Sequence, residues 1–550
     1  MISVANVAPA TPPVTAAFGF SPSAPTSGQN VTFVDQSTGA PFSWQWNFGD
    51  GTTSSVQSPS HVFAAPGNYF VTLTVGNAVS TGSVTHAVNV VSAAVPYRAL
   101  VSVITQATGV GGASWRTELT IFNAGNEAVT PALIFFPGAG GQVQTRPIYL
   151  APKQSVTYAN ALLELFNLQN TAGALGVEAD GIVNSPDLRV SSRTFTDGAG
   201  GTYGQSVNGI LSEDLPSTVY LTGLESDASF RTNVGFVNRN ISPVALTVEL
   251  FDANGTRVGV TSTTLPGNNF QQTPLTALFP PISGAQYSAL SMRVIAAVPN
   301  VVSTYASVVD NRSQDPVYLQ GTPAPIGGRL VIPAVGRVPG ANGTFWRSDV
   351  TFYNPGSSAM SLALRYQPAG SDNRFVNALV LTVGADKTLV LADALNWLGI
   401  SSGSGALDVR WTNAIGPVVS SRTYTTTANG GTFGQSIDPV TEFSNDAYVP
   451  GLRSDLTYRS NVGFVNGGDT TIGVTTQLLG TNGQTLATGF VVLQPRSQSQ
   501  MTLAQMFPSI NVQFLGSVTL KAHADGQPDM FAYGSIIDNT SGDPVFFAGR

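Results

Sequence analysis

One nine-residue phrase occurs four times in this chain. It reads Trp115-Arg116-Thr117-Glu118-Leu119-Thr120-Ile121-Phe122-Asn123 and returns from Phe230 to Asn238, from Trp346 to Asn354 and from Tyr458 to Asn466. The starts lie 115, 116 and 112 residues apart, about one β-sandwich of chain per step. A strand copied at that interval predicts a tandem body and accounts for most of the 550 residues without invoking an active site.

Composition narrows the classes. Apolar residues make up 42% and charged residues 10%, against about 25% charged in an ordinary globular protein. The chain can therefore build real cores under a weakly charged polar surface. Three lysines stand among 24 basic residues, and the net charge is −7. There is no basic field for nucleic acid and no basic amphipathic stretch or long apolar run for membrane insertion. Cysteine is absent, which excludes disulfides, Cys-zinc sites and thiol catalysis. The N-terminal segment shows neither the basic nor the apolar region of a signal peptide.

Short alternating runs rich in Val, Thr and aromatics, punctuated by Gly, Asn and Pro, fill the chain and predict an all-β fold. Four short amphipathic pieces interrupt it at matching places, Asn160–Phe166, Pro274–Phe279, Ala392–Leu398 and Thr502–Phe507. Each is expected to form one or two helical turns between sheets. The expected divisions are an arm over 1–14, a first domain over 15–92, and repeats over 97–215, 216–325, 328–443 and 444–550. Repeats 1 and 3 share Ser191-Ser192-Arg193-Thr194-Phe195-Thr196 with Ser420-Ser421-Arg422-Thr423-Tyr424-Thr425. Repeats 2 and 4 share Asp310-Asn311-Arg312-Ser313-Gln314-Asp315-Pro316 with Asp538-Asn539-Thr540-Ser541-Gly542-Asp543-Pro544. The larger period is thus a pair of sandwiches used twice.

Residues 12–92 stand apart. They carry Trp44-Gln45-Trp46-Asn47-Phe48-Gly49-Asp50-Gly51-Thr52, then His61-Val62-Phe63 and Pro66-Gly67-Asn68-Tyr69. Trp44, Trp46 and Phe48 alternate onto one strand face, and Gly49-Asp50-Gly51 predicts a tight turn in which Asp50 bonds turn amides. These motifs closely resemble the PKD family of immunoglobulin-like sandwiches. Asn47 departs from the family's usual Asp and weakens any cation role there. The paired repeats resemble, more loosely, repeats of secreted bacterial surface proteins of unassigned role.

In each phrase alternate residues share a face. Trp115, Thr117, Leu119 and Ile121 and their copies are expected to face a core, leaving Arg116, Arg231, Arg347 and Arg459 on the other side. There Arg116 with Glu118, and Arg347 with Asp349, suit a same-face or cross-strand ion pair. The four arginines are either structural or a stripe that contacts a partner or glycan. Tyr203 and Phe433, in Gly-Gly-Thr-(Tyr/Phe)-Gly-Gln-Ser loops, either pack on a neighbouring repeat or touch such a ligand. Asp310, Asp315, Asp538 and Asp543 form either hairpin turns or calcium ligands. The closing Asn of each phrase reads as a turn signal.

Catalytic constellations are sparse. The histidines are His61, His86 and His523, so the repeats alone cannot assemble a Ser-His-Asp device. Gly399-Ile400-Ser401-Ser402-Gly403 matches a nucleophile elbow in letters, but a helix is expected before it and a strand after it, the reverse of what that motif needs. Trp397 is expected in the core of its short helix. The expectation is therefore not an enzyme, with no catalytic residues and no cofactor beyond the calcium alternative. It is an extracellular or cell-surface structural or adhesive protein, an elongated row of five sandwiches well beyond ~100 Å long. Self-association or another surface protein is the expected partner, with the arm Ile2–Ala17 available to dock on another subunit. The alternative is a glycan-binding accessory module of a secreted degradative system, since the PKD resemblance implies company with secreted hydrolases of polysaccharide and collagen.

Overall fold

The computed structural model describes residues 11–65, 67–91, 97–109, 112–179, 188–198, 200–211, 215–340 and 343–549. The fold is all-β. Residues 1–10 of the arm lie outside the described residues. The segment before residue 92 forms one compact unit and the four repeats form another.

In the first unit, Phe18–Ser21, Asn30–Asp35 and Ser60–Val62 make one sheet. Thr53–Ser54, Ser43–Asn47, Gly67–Gly76 and Thr81–Val90 make the other. Trp46, Phe33, Val71 and Leu73 fill the space between them, fully buried, because alternate residues of each strand point inward. Trp46 Nε1 donates to Val56 O at 2.9 Å. Val14 packs into this core and Thr15 pairs with Thr38, so the described end of the arm belongs to the domain.

Repeats 2 and 4 are each two four-stranded antiparallel sheets in the same order. In repeat 2 one sheet runs Thr218–Ser226, Tyr287–Ala296, Val244–Asp252, Arg257–Leu265. The other runs Asn269–Pro274, Phe230–Asn238, Val302–Asp310, Pro316–Gln320. Repeats 1 and 3 differ. Their long first strands, Tyr97–Thr108 and Arg329–Pro339, pair with one sheet for most of their length and with the repeated-phrase strand at their ends. The two layers are thereby joined into one continuous sheet.

All four short helices occur where the amphipathic pieces predict them: Ala161–Phe166, Leu275–Leu278, Ala394–Trp397 and Leu503–Met506. The last starts in a capping box between Thr502 and Gln505, which satisfies two orphan amides reciprocally. Trp397 corrects the expectation of a core position: the third helix is one turn long, buries Ala394 and Leu395, and leaves Trp397 46% exposed.

The phrase strands bury the expected faces. Thr117, Leu119 and Ile121 are buried, as are Thr232, Val234 and Phe236 and their later copies. The opposite face is buried as well: Phe122, Val237, Tyr353 and Val465 are fully inaccessible. Phe122 packs with Leu479 and Tyr448 of repeat 4, and Tyr353 with Phe251 and Tyr220 of repeat 2.

The closing asparagines do more than mark a turn. Asn466 Nδ2 donates to Thr470 O, Leu493 O and Gln494 O at 2.7, 3.3 and 3.0 Å, and its Oδ1 accepts Gly468 N at 2.9 Å. Asn123, Asn238 and Asn354 make the same set of bonds in their own repeats, and all four are fully buried. One amide thus ties the end of the phrase strand to a second connection about 28 residues later. Replacing Asn466 with alanine is expected to cost about 2 kcal/mol, because buried carbonyls lose their donor. Asn466→Asp is expected to cost more, since a carboxylate has no N–H to give. Denaturant midpoints of the two variants check this.

Candidate functional site: the carboxylate latches that close the repeat ring

The four repeats do not stand in a row, which corrects the expectation of an elongated line. Repeat 1 meets repeat 2 through the Ser102 and Ser303 hydroxyls at 2.8 Å, and repeat 2 meets repeat 3 through Ser291 and Thr388 at 2.8 Å. Repeat 3 meets repeat 4 through Gly370 N to Gln498 O at 3.0 Å. Repeat 4 returns to repeat 1 through Thr157 Oγ1 to Ser517 Oγ at 2.8 Å. The ring closes because each phrase strand has two apolar faces, and the outward one must find a neighbouring repeat to leave water.

The strands Gly201–Ser206, Pro316–Gln320, Thr432–Ser436 and Pro544–Ala548, one from each repeat, converge at the centre. They leave a void of about 10 Å³, room for about one water. The Asp-Asn-x-Ser-x-Asp-Pro loops lead into this centre as latches. Asp310 Oδ1 accepts Arg312 N and Ser313 N at 2.7 and 2.9 Å within its own loop. Its Oδ2 accepts Thr432 N and Oγ1 of repeat 3, both at 2.8 Å. Asp315 Oδ2 accepts Gly434 N at 3.0 Å. Repeat 4 does the same to repeat 1. Asp538 Oδ1 accepts Thr540 N and Ser541 N, its Oδ2 accepts Thr202 N and Oγ1, and Asp543 Oδ2 accepts Gly204 N. Gln314 and Gly542, with φ of 63° and 78°, hold the left-handed turn that brings both carboxylates of each loop to one side.

Burial raises the Asp310 and Asp538 carboxyls, but the N–H and hydroxyl donors around them outweigh it and hold both below the usual carboxylate range. Asp315 and Asp543 are inaccessible to solvent and shift the other way. Burial raises both, and the Asp315 charge raises Asp543 further. The Arg193 guanidinium, itself 1% exposed, lies 3.8 Å from Asp543 and donates to Thr202 Oγ1 at 2.7 Å. Arg422 donates to Thr432 Oγ1 at 2.8 Å in the equivalent place.

These contacts locate the residues singled out in the sequence. All four oxygens of Asp310 and Asp538 accept N–H or O–H donors, and among the described residues no three acidic or histidine side chains come together as a metal-sized group. Arg231 and Arg459 donate to Asn311 Oδ1 and Asn539 Oδ1, each at 2.9 Å, and so brace the latch loops. Of the same-face or cross-strand ion pairs expected at Arg116 and Arg347, the cross-strand kind forms at Arg116. Arg116 pairs with Asp197 at 2.6 Å over the Phe195 ring, and Arg347 donates to Thr426 Oγ1 at 3.2 Å. Glu118 pairs with Arg453 of repeat 4 at 2.6 Å. Residues two apart on a strand are separated by about 6.6 Å, so partners on adjacent strands and neighbouring repeats are closer. Phe433 is buried edge-on against Trp346 at 5.8 Å and lies against Gly542 of the repeat-4 latch. Tyr203 is half-buried. Ser401 lies in a loop that follows a helix and precedes the strand Gly403–Arg410, and its carbonyl accepts Arg337.

In the first unit, Asp50 Oδ1 accepts Thr52 N at 3.0 Å and its Oδ2 meets His61 Nε2 at 2.7 Å. Asn47 Oδ1 accepts Gly49 N at 2.9 Å, so the amide fills the turn position by hydrogen bonding. Trp44 Nε1 donates to Asp35 Oδ2 at 2.7 Å.

Comparison with known proteins bears on this unit. The PKD domain model matches residues 10–91. Among solved structures, the PKD1 domain of Vibrio anguillarum Epp is 27% identical, covering 15% of this chain and 100% of that one, with a TM-score of 0.14. The PKD1 domain of the Vibrio cholerae metalloprotease PrtV is 26% identical, covering 14% and 96%, with a TM-score of 0.13. A structure of carbohydrate-binding modules from the β-sandwich superfamily is 13% identical over 57% of this chain and 98% of that one, with a TM-score of 0.16. No curated protein matches the chain. Residues 10–91 are a PKD domain, followed by β-sandwich repeats.

Proposed function

We propose that this is a non-catalytic extracellular structural or adhesive protein of five sandwiches, four of them locked into a closed block and one a PKD domain. The observation that carries this reading is the reciprocal latch. The buried aspartates and arginines of the repeats bind one another's loops, which suits a rigid building piece and leaves them no free oxygen or guanidinium facing solvent. The PKD domain supports an address outside the cell. A rigid, weakly charged block presents little electrostatic barrier to contact with surface proteins or with its own copies.

The glycan-binding alternative has one specific observation in its favour, the half-exposed indole of Trp397, a shape suited to stacking on a sugar ring. Pull-downs of the full chain against a panel of insoluble polysaccharides, beside sedimentation velocity, separate the two. The structural reading expects no depletion by any polysaccharide and concentration-dependent association. Saturable capture by one polysaccharide, lost in Trp397→Ala, replaces it with the glycan reading.

A further inference from the structure

The two latched junctions are built alike except in charge. Gly223 of repeat 2 lies against Ser420 and Thr351 of repeat 3, as Gly451 of repeat 4 lies against Ser191 and Thr120 of repeat 1. Glu225 exchanges backbone bonds with the Thr232 hydroxyl, and Arg453 makes the same pair of bonds with the Ser460 hydroxyl. Glu225 therefore holds the position of Arg453. At the junction of repeats 4 and 1, Arg453 grips Glu118 in two bonds of 2.8 and 2.6 Å. At the junction of repeats 2 and 3, the position of Glu118 is taken by Asp349. There the charge of one carboxyl, Asp349, disfavours the charge of the other, Glu225.

Glu118 and Asp543 are matched by Arg453 and Arg193. Glu225, Asp349 and Asp315 share the guanidinium of Arg422, which stacks over Phe230 and Tyr424; Arg193 also acts on Asp315, more weakly. Asp227 and Asp310, both acidic, also face Glu225. Asp349 also meets Tyr424 OH and the amide of Asp393, and the Asp393 carboxylate is itself paired with Arg337.

We propose that the seam between repeats 2 and 3 is a proton-dependent closure, held shut when Glu225 and Asp349 carry hydrogen and loosened when both ionise, a response added to the one that buried Asp315 and Asp543 give both seams alike and missing from the seam between repeats 4 and 1, where Arg453 stands in place of Glu225. Burial first, then the neighbouring acids, push Glu225 from 4.5 up to about 8 against the pull of Arg422. Burial raises Asp349 in the same direction. A carboxyl raised on folding binds more protons in the closed form than in the open one. Closure is therefore unpenalised below the ordinary carboxylate value, and the penalty grows up to the raised one. For Glu225 that window runs from 4.5 to about 8.

Hydrogen exchange of the full chain at pH 6 and pH 9, corrected for intrinsic rates, uses one junction as the control for the other. The expected result is loss of protection in peptides spanning Gly431 to Gly434 relative to those spanning Gly201 to Gly204. Glu225→Arg, which restores the partner present at the other seam, is expected to erase the difference, and Glu225→Gln to reduce it. Arg453→Glu is expected to transfer the same pH response to the second seam. Parallel protection at both seams in the wild type, or an unchanged difference in both Glu225 variants, overturns the proposal. His61 and His523 are common to wild type and variants and cancel in the comparison.

Discussion

Asp538→Ala is expected to lower the stability of the four-repeat unit by about 3–4 kcal/mol, the range for removing one partner from a buried charged network. The residue is 1% exposed, and its two oxygens accept four donors, two from its own loop and two from Thr202 across the junction. Alanine leaves three amides and a hydroxyl without acceptors. Asp538→Asn is expected to recover little, because its Nδ2 turns a donor toward donors already present. The pH response follows the same geometry. Since the folded carboxyl is held below its ordinary value, the latch contributes fully above that value and is lost as pH falls through the lowered one. Asp310→Ala acts on the opposite junction. The double variant is expected to open the ring, which small-angle scattering of the repeat unit reads as an increased radius of gyration. A double variant as compact and as stable as wild type would refute the latch.

The same two loops show where sequence was informative and where it was not. Their duplication was visible, and so was a turn with paired aspartates. Their partners were not, because Thr202 and Asp538 are 336 residues apart and nothing local requires them to meet. The PKD motifs and the four short helices were legible because strand alternation, tight turns and helical amphipathicity are properties of neighbouring residues. Ring closure did leave a signal that strand alternation alone passes over. Ile121-Phe122, Phe236-Val237, Phe352-Tyr353 and Phe464-Val465 set two apolar residues side by side, so each strand has an apolar residue on both faces. A strand that is apolar on both faces cannot sit on the outside of a linear array. The sequence left a same-face and a cross-strand ion pair open for Arg116 and Arg347, and could not name the cross-strand partner Asp197, 81 residues from Arg116.

Within the phrase, the even repeats differ from the odd ones at one further position. Where repeats 1 and 3 have Thr120 and Thr351, repeats 2 and 4 have Gly235 and Gly463. Opposite these positions stand Ser191 and Ser420 in the odd repeats but Tyr305 and Tyr533 in the even ones. The tyrosine ring lies flat over the glycine: a Cβ on Gly463 would fall 2.0 Å from the Tyr533 ring, and one on Gly235 equally close to Tyr305. Both rings are buried and fixed by hydrogen bonds, Tyr533 OH to Gln500 Oε1 at 2.9 Å and Tyr305 OH to Gln272 Oε1 at 2.5 Å, so neither can swing aside. Gly463→Ala is expected to cost about 3 kcal/mol, the upper part of the range for overpacking a filled core. Gly463→Thr is expected to cost more. The odd repeats supply the compensating change: Tyr533→Ser combined with Gly463→Thr rebuilds the Thr–Ser pair found at Thr120 and Ser191, and the double variant is expected to be more stable than Gly463→Thr alone. A double-mutant cycle on denaturation midpoints gives the coupling directly. Additive costs would mean that the glycine is required by its backbone and not by the ring above it.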